Sequence, residues 1–195
     1  QINPHFLFNA INTIVSYTRT QPDEARKLLV HLGDFFRSNL QEPTDKVPLK
    51  KEIEHIVSYV EIEKARHGDK LRINYEISPE AECEIPPLLL QPLVENAIKH
   101  GVLHRLDGGN VTISAIGSDK GTVIEVVDDG VGIPEDVLNS LLSDCGPRDC
   151  IGLKNVHDRL INLYGKDYGL NITSRENEGT RVRMVIPTGR EVYAL

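Results

Sequence analysis

The run from Pro86 to Gly101 (Pro-Pro-Leu-Leu-Leu-Gln-Pro-Leu-Val-Glu-Asn-Ala-Ile-Lys-His-Gly) constrains the fold more than any other stretch. It begins apolar and ends in a crowd of polar groups. Leu89, Leu93, Val94 and Ala97 recur at helical spacing and predict a core-facing stripe on a helix over about 87–100. Glu95, Asn96, Lys99 and His100 fall in the next turn, where Asn96 shares a face with Lys99 and with His100. Gly101 reads as a helix stop. One end of this helix must therefore enter a core, while the other presents a carboxylate, an amide, a cation and an imidazole. That set suits a metal ion and phosphates. It is equally the polar face of an ordinary surface helix, and the rest of the chain has to decide.

Two helices lead the chain. The first runs from residue 1 to about 20, with Asn3-Pro4 either as N-cap and first helical residue or as a kink in a helix that starts further upstream. Leu7, Ile11 and Ile14 form its apolar seam, and His5, Asn9, Asn12 and Ser16 its polar stripe. With so little chain before it, the first turn is expected to fray through about residue 8. The second helix runs from about 20 to 41, capped by Thr20, with Asp23 and Glu24 in its first turn and a broad stripe of Ala25, Leu28, Leu29, Leu32, Phe35, Phe36 and Leu40. The short link predicts an antiparallel hairpin. Its apolar surface must be covered by a second copy, as a four-helix dimer, or by the domain that follows. Glu42-Pro43-Thr44-Asp45-Lys46 is the natural joint and divides the chain into 1–45 and 46–190.

Past the joint, Pro48 to about Arg66 reads as a third helix with Leu49, Ile53, Ile56, Val57 and Val60 inward. Leu71–Ile77 alternates as a half-buried strand. Asn110–Ile116 and Thr122–Val127 are strands joined by a Gly117–Gly121 hairpin loop, and Leu170–Arg175 and Arg181–Ile186 are the closing pair. A long Gly-, Pro- and Asp-rich stretch separates Gly130 from Leu153, with a short helix after Pro134, and Gly152–Tyr164 is a further helix with Leu153, Val156, Leu160 and Leu163 inward. The expected fold is α+β. A helical hairpin precedes an α/β sandwich whose helices lie on one face of a mixed, mainly antiparallel sheet.

Composition narrows the function. A net charge of −7 excludes non-specific nucleic-acid binding, which needs a basic surface. No apolar run approaches the ~20 residues of a membrane-spanning helix, and no signal peptide opens the chain. A start at Gln1 rather than Met predicts a piece of something longer. Cys83, Cys145 and Cys150, an odd number without a CxxC pair, point to a reducing compartment rather than to disulfides or zinc.

Three further motifs carry chemistry. Asp128 ends an apolar strand and is followed by Asp129-Gly130-Val131-Gly132-Ile133-Pro134, so a partly buried carboxylate there can accept a hydrogen bond from an exocyclic amine. Cys150-Ile151-Gly152-Leu153 opens a helix, where free backbone N–H groups cradle phosphate. Glu178-Gly179-Thr180 precedes the last strand. Each alone reads as a turn or a bare helix end. Their joint order after the Glu95-Asn96-Ala97 helix is far more specific. It resembles the ATP-binding domain shared by gyrase, Hsp-ninety, histidine kinases and MutL, over about Leu49 to Pro187. That resemblance implies a Bergerat-type sandwich and ATP with Mg²⁺ as cofactors. Asn96 would be the Mg²⁺ ligand, Lys99 and His100 would lie near the phosphates, and Asp128 would read the adenine amine, backed by Thr180. Gly130, Gly132, Ile133, Gly152 and Leu153 would line the nucleotide beneath a mobile lid between Gly130 and Gly152.

The first helix narrows the family. Gln1-Ile2-Asn3-Pro4-His5-Phe6-Leu7-Phe8-Asn9, together with the Pro86–Ala97 run, is similar to the phosphoacceptor and nucleotide boxes of LytS-like sensor histidine kinases. The resemblance implies that 1–45 is a phosphoacceptor and dimerisation unit and 46–190 an ATP-binding catalytic domain. It implies autophosphorylation of His5, relay to an aspartate on a response regulator, a homodimeric parent, and membrane attachment only through segments outside this sequence. The chain would then be the cytoplasmic portion of a bacterial inner-membrane sensor. An imidazole has a free lone pair near pH 7, so the transfer is mostly a matter of positioning.

Four positions depart from the family pattern. Phe6 stands where many relatives carry an acid beside the acceptor, leaving Asn9 or Glu95 to assist His5. Pro92 replaces a second asparagine, and Arg148 and Cys150 stand where the phosphate loop usually has glycine. Phe6 and Pro92 also keep a different class in view, a nucleotide-binding pseudokinase or scaffold that binds a regulator without phosphorylating it.

Overall fold

The computed structural model describes residues 4–40, 45–119, 121–142 and 151–187. The expectations placed on Asn3, on Glu42 to Thr44 of the joint, and on Cys145, Arg148 and Cys150 lie outside these residues. In chain order the elements are α1 (Pro4–Thr20), α2 (Pro22–Leu40), β1 (Val47–Pro48), α3 (Leu49–His67), β2 (Leu71–Ile77), β3 (Glu84–Ile85), α4 (Gln91–Asn96), β4 (Gly109–Ser118), β5 (Gly121–Asp128), α5 (Glu135–Ser140), α6 (Ile151–Tyr164), β6 (Asn171–Arg175) and β7 (Gly179–Pro187).

Alternation of apolar and polar residues makes the sheet. Leu71, Val111, Ile113, Ala115, Ile124, Val126, Val182, Met184 and Ile186 all point to one face and are buried there. The strand order is β2-β4-β5-β7-β6. β2 pairs with β4 in parallel, and the other three pairs are antiparallel. The β4–β5 hairpin is tighter than the sequence suggests, because the ladder continues to a Ser118–Gly121 pair. A second, two-stranded sheet of β1 and β3 is too short to leave a periodic signal.

Three helical segments cover the apolar face of the sheet, and the hairpin packs on the outside of α3. Phe6, Ala10 and Ile14 are the buried ridge of α1. The expected Leu7–Ile11–Ile14 seam is thus rotated, and Ile11 is 44% exposed. The reason is aromatic. Phe6 lies 4.9 Å from Phe35 and 5.2 Å from Tyr59, ring centre to ring centre, a stronger anchor than an aliphatic side chain provides. The far end of α1 is tied down as well, where the Tyr17 hydroxyl donates to the Ala65 carbonyl at 2.9 Å. Phe6 in the first turn of α1 is therefore packed into the core, while residues 1–3, where fraying was also expected, lie outside the described residues. The hairpin and the sandwich share one continuous hydrophobic core.

α4 differs most from its sequence pattern. Pro87 to Leu90 do not join the helix. They form a turn in which Leu88 has φ +59°, and α4 starts at Gln91 with Pro92 in its first turn, where a missing N–H costs nothing. The buried Glu52 carboxylate of α3 pins that turn, accepting N–H bonds from Leu88 (2.8 Å), Leu89 (3.0 Å) and Leu90 (3.4 Å). Arg159 of α6 holds it from the other side by donating to the Pro87 carbonyl at 2.7 Å. Beyond Asn96 the helix widens into a π turn over Ala97–Gly101, a local expansion that such helices often carry at functional sites.

Removing the Glu52 side chain strands three backbone donors. Glu52→Ala is expected to lower stability by about 3 kcal/mol, read as a shifted urea midpoint at unchanged m-value. Glu52→Gln, which keeps one acceptor oxygen, should lose clearly less.

Candidate functional site

A cavity of about 410 Å³ opens at the polar end of α4. Glu95, Asn96, Lys99 and His100 line it, as the sequence predicts, and Gly152 and Leu153 at the start of α6 close the opposite wall. Pro92 and Asn39 also line it, the latter from the hairpin helix α2. Glu95 is already engaged. Its Oε1 accepts from Gln91 Nε2 at 2.6 Å, and its Oε2 pairs with Lys99 Nζ at 2.8 Å. Both are i,i+4 neighbours on the helix surface.

Asp128, Gly130, Gly132, Ile133 and Thr180 do not line that cavity but gather on the far side of Gly101. Asp128 is the last residue of β5, paired in the sheet with Thr180, and only 5% exposed. Its Oδ1 accepts the Gly130 N–H at 2.9 Å. Burial pushes its pKa from 3.8 up to about 6, against the pull of the Gly130 and Thr180 backbone donors and with a further push from the neighbouring Asp129. Beside it, Ser174 donates to the Gly179 carbonyl at 2.8 Å and accepts the Ile133 N–H at 2.8 Å. The Thr180 hydroxyl, 2.9 Å from Ser174 Oγ, must therefore spend its proton on Ser174. That leaves Thr180 as an acceptor. Ser174 was invisible in the sequence, since an exposed-looking Ser in an alternating strand is unremarkable.

Gly101 is the second residue the sequence misassigned. Its φ of −88° is not the left-handed geometry of a helix stop. A Cβ there would stand 2.5 Å from Asp128 Oδ1 and 2.8 Å from its Cγ. A Cβ on Gly130 would in turn overlap the Gly101 carbonyl group. The π turn and the Asp128 loop thus meet backbone to backbone, joined further by the Val131 N–H to Gly101 carbonyl bond at 3.3 Å. Gly132 has φ +67° and abuts the Arg175 carbonyl, so its lack of a side chain also serves close backbone approach.

His5 sits apart. It is exposed on α1, with Asn9 Nδ2 3.2 Å from its ring nitrogens, and it does not line the cavity. Of the two residues expected to assist it, Asn9 is beside it and Glu95 is in the cavity. Phe6 points the other way, into the core.

Comparison with known proteins agrees with this layout. The family model for "Histidine kinase-, DNA gyrase B-, and HSP90-like ATPase" matches residues 87–190. The chain belongs to this ATPase family. A "Histidine kinase" model matches residues 1–71, which places the LytS-like sensor kinase resemblance on both halves of the chain. Sensor histidine kinase YpdA of Escherichia coli K12 is 44% identical over all of this chain and 34% of its own length. Sensor protein LytS of Bacillus subtilis 168 is 42% identical over 96% of this chain and 32% of its own. The chain thus spans about a third of these relatives. Among solved structures, the histidine kinase domain of the Erythrobacter litoralis EL346 blue-light activated kinase aligns with a TM-score of 0.55 at 21% identity, covering 91% of this chain and 85% of that one. The catalytic domain of histidine kinase ThkA aligns at 0.55 and 21%, covering 75% and 97%. At that identity both show the fold alone, and the fold is that of the histidine kinase catalytic domain. The two halves of the chain thus both match histidine kinases. The residues fit a magnesium nucleotide: an amide and a cation line the cavity, and a buried carboxylate with room made by Gly101 lies behind it.

Three outcomes follow from the Asp128 pocket. Gly101→Ala should weaken ADP binding at least tenfold, about the loss of one charge-assisted hydrogen bond, by isothermal calorimetry, with little change in the α-helical signal. Because the folded pKa of Asp128 is raised, its contribution to stability is full below about pH 4 and is lost as pH rises through about 6. Asp128→Asn should accordingly raise the melting temperature of the nucleotide-free protein at pH 7.5, an effect that fades by pH 4. In the wild type, ADP affinity should fall as pH drops below about 6.

Proposed function

We propose that this region catalyses ATP-dependent autophosphorylation of His5 and passes the phosphoryl group to an aspartate of a response regulator. The observation that carries the reading is an acceptor helix bearing an exposed His5 on the same fold as a cavity built from Glu95, Asn96 and Lys99. In this reading Asp128 accepts a hydrogen bond from the adenine amine, with Thr180 as a second acceptor. Asn96 is the residue that would hold Mg²⁺. When bound, Mg²⁺ would spread the charge that develops on the transferring group. Lys99, His100 and the N–H groups at Gly152 and Leu153 hold the phosphates. A ring nitrogen of His5 attacks the terminal phosphorus, the bond from that phosphorus to the ADP oxygen breaks, and ADP leaves. Asn9 orients the ring from beside it, and its Nδ2 must release the attacking nitrogen, which carries the only free lone pair of a neutral imidazole.

The two departures that suggested a non-phosphorylating scaffold both have structural roles here. Phe6 anchors α1 in the core, and Pro92 starts α4. Phe6 points away from the cavity, while Pro92 lines it. A homodimer is the proposed assembly. Phe8 (67%), Ile11 (44%) and Val15 (60%) leave one face of α1 exposed, and Leu29 (54%) and Leu40 (72%) do the same on α2. Two such hairpins make a four-helix bundle. No described helix is long and apolar enough to cross a membrane, and we place any membrane attachment in segments beyond this sequence.

Incubation with γ-labelled ATP and Mg²⁺ should give an acid-labile label on the wild type and none on His5→Ala. Label retained by His5→Ala would overturn the acceptor assignment. Asn9→Ala is expected to slow labelling about ten- to a hundredfold, the scale of a lost positioning group, without changing the affinity for ADP.

A further inference from the structure

The groups that hold Glu95 lead out of the cavity into the contact between α3 and the hairpin. A carboxylate only accepts hydrogen bonds, so the Gln91 amide must turn its nitrogen to Glu95 Oε1, at 2.6 Å, and its oxygen the other way. That oxygen lies 2.9 Å from His55 Nε2. Facing an acceptor, Nε2 must carry the proton. One arrangement of the amide and the imidazole proton therefore makes both hydrogen bonds between Glu95 and His55. The His55 ring is 3% exposed and lies flat on Phe35 of α2, with centroids 4.9 Å apart and planes 11° from parallel. Its Nδ1 is buried with no partner among the described residues. Nε2 is thus its one polar bond, and Phe35 is what keeps the ring from tilting out of line.

We propose that His55 is a positioning residue of the nucleotide site. Through Gln91 it fixes one oxygen of Glu95 so that only the other meets Lys99, and the Phe35 ring of the docked hairpin holds His55 in the plane this requires. The proposal rests on reading the cavity as the phosphate end of an ATP site. A Glu95 released from Gln91 can turn both oxygens onto Lys99 and withhold that cation from a phosphate. Anchored by Gln91, Glu95 shares Lys99 through one oxygen and stays in place when a phosphate draws the cation away. Hairpin docking is thereby felt at the phosphate wall, through four side chains in contact: Phe35, His55, Gln91 and Glu95.

The test separates the phosphate wall from the Asp128 pocket by comparing Mg·ADP with adenosine on the full chain. His55→Phe keeps the flat packing on Phe35 and removes the donor. It should weaken Mg·ADP about tenfold and leave adenosine within about twofold. His55→Gln, which returns an N–H at similar reach, should recover most of the loss. Gln91→Met should cost the same alone and nothing more in the His55→Phe background, since both act through one oxygen of Glu95. Phe35→Leu should reproduce the selective loss in the wild type and add nothing to His55→Phe. The proposal is overturned if His55→Phe binds Mg·ADP as the wild type does or loses adenosine equally, if His55→Gln gives no recovery, or if either second substitution is additive. A wild type that binds neither ligand would instead sink the ATP-site reading itself, before any variant is compared.

Discussion

No side chain separates Gly101 from Gly130, and the Asp128 carboxylate fills the space beside them. This approach sets the distance between the polar end of α4 and the end of β5, and so between the cavity wall and the buried acid. It also explains the π turn. A regular helix would carry its last turn straight on, whereas the widened turn over Ala97–Gly101 lets Lys99 and His100 face the cavity while Gly101 still reaches the Asp128 loop. The apolar half of the segment supplies the fixed point. Leu89, Leu90, Leu93, Val94 and Ile98 are wholly buried, so the helix cannot slide to relieve crowding at its other end. A close contact held by a rigid core is what keeps a carboxylate at 5% exposure with a pKa near 6.

α3 is the layer through which the two halves of the chain meet. Glu52, His55 and Glu63 are all buried on it, at spacings that look like a solvated helix face. Glu52 and His55 are held by groups distant in sequence, whereas the ionisable neighbours of Glu63 lie on its own helix. Glu52 serves the Leu88–Leu90 donors, His55 serves Gln91 and stacks on Phe35, and Glu63 lies within 3.3 Å of His67 and near Arg66, its pKa raised by burial. Periodicity reports only which residues are apolar. It cannot show that a buried charge has a partner thirty residues away.

That limit marks what was legible. The strands were, because Leu71–Ile77 and its neighbours each face one core and one open side. The nucleotide motifs were, because Asn96 and Asp128 stand in runs whose order is more specific than any one of them. The Leu88 turn was not, since it depends on the Glu52 carboxylate of another helix. Gly101 was read as a helix stop because glycine has two uses, freedom of φ and absence of Cβ. Sequence does not say which is in force, and here the second is.

Phe6 shows how packing and chemistry divide one helix. Successive residues of an α-helix are set about 100° apart. Once Phe6, Ala10 and Ile14 face α3, the positions just before them, His5 and Asn9, fall on one flank of α1. Phe8, Ile11 and Val15 fall on a third face, exposed and apolar. The helix thus has three distinct sides: one held by the core, one apolar and uncovered, and one bearing the imidazole with its amide neighbour. An acidic residue at position 6 would have to sit among Phe35 and Tyr59, where an unpaired carboxylate is strongly disfavoured. The aromatic residue beside His5 therefore has a structural role of its own. It sets the rotation of α1, and that rotation turns His5 outward.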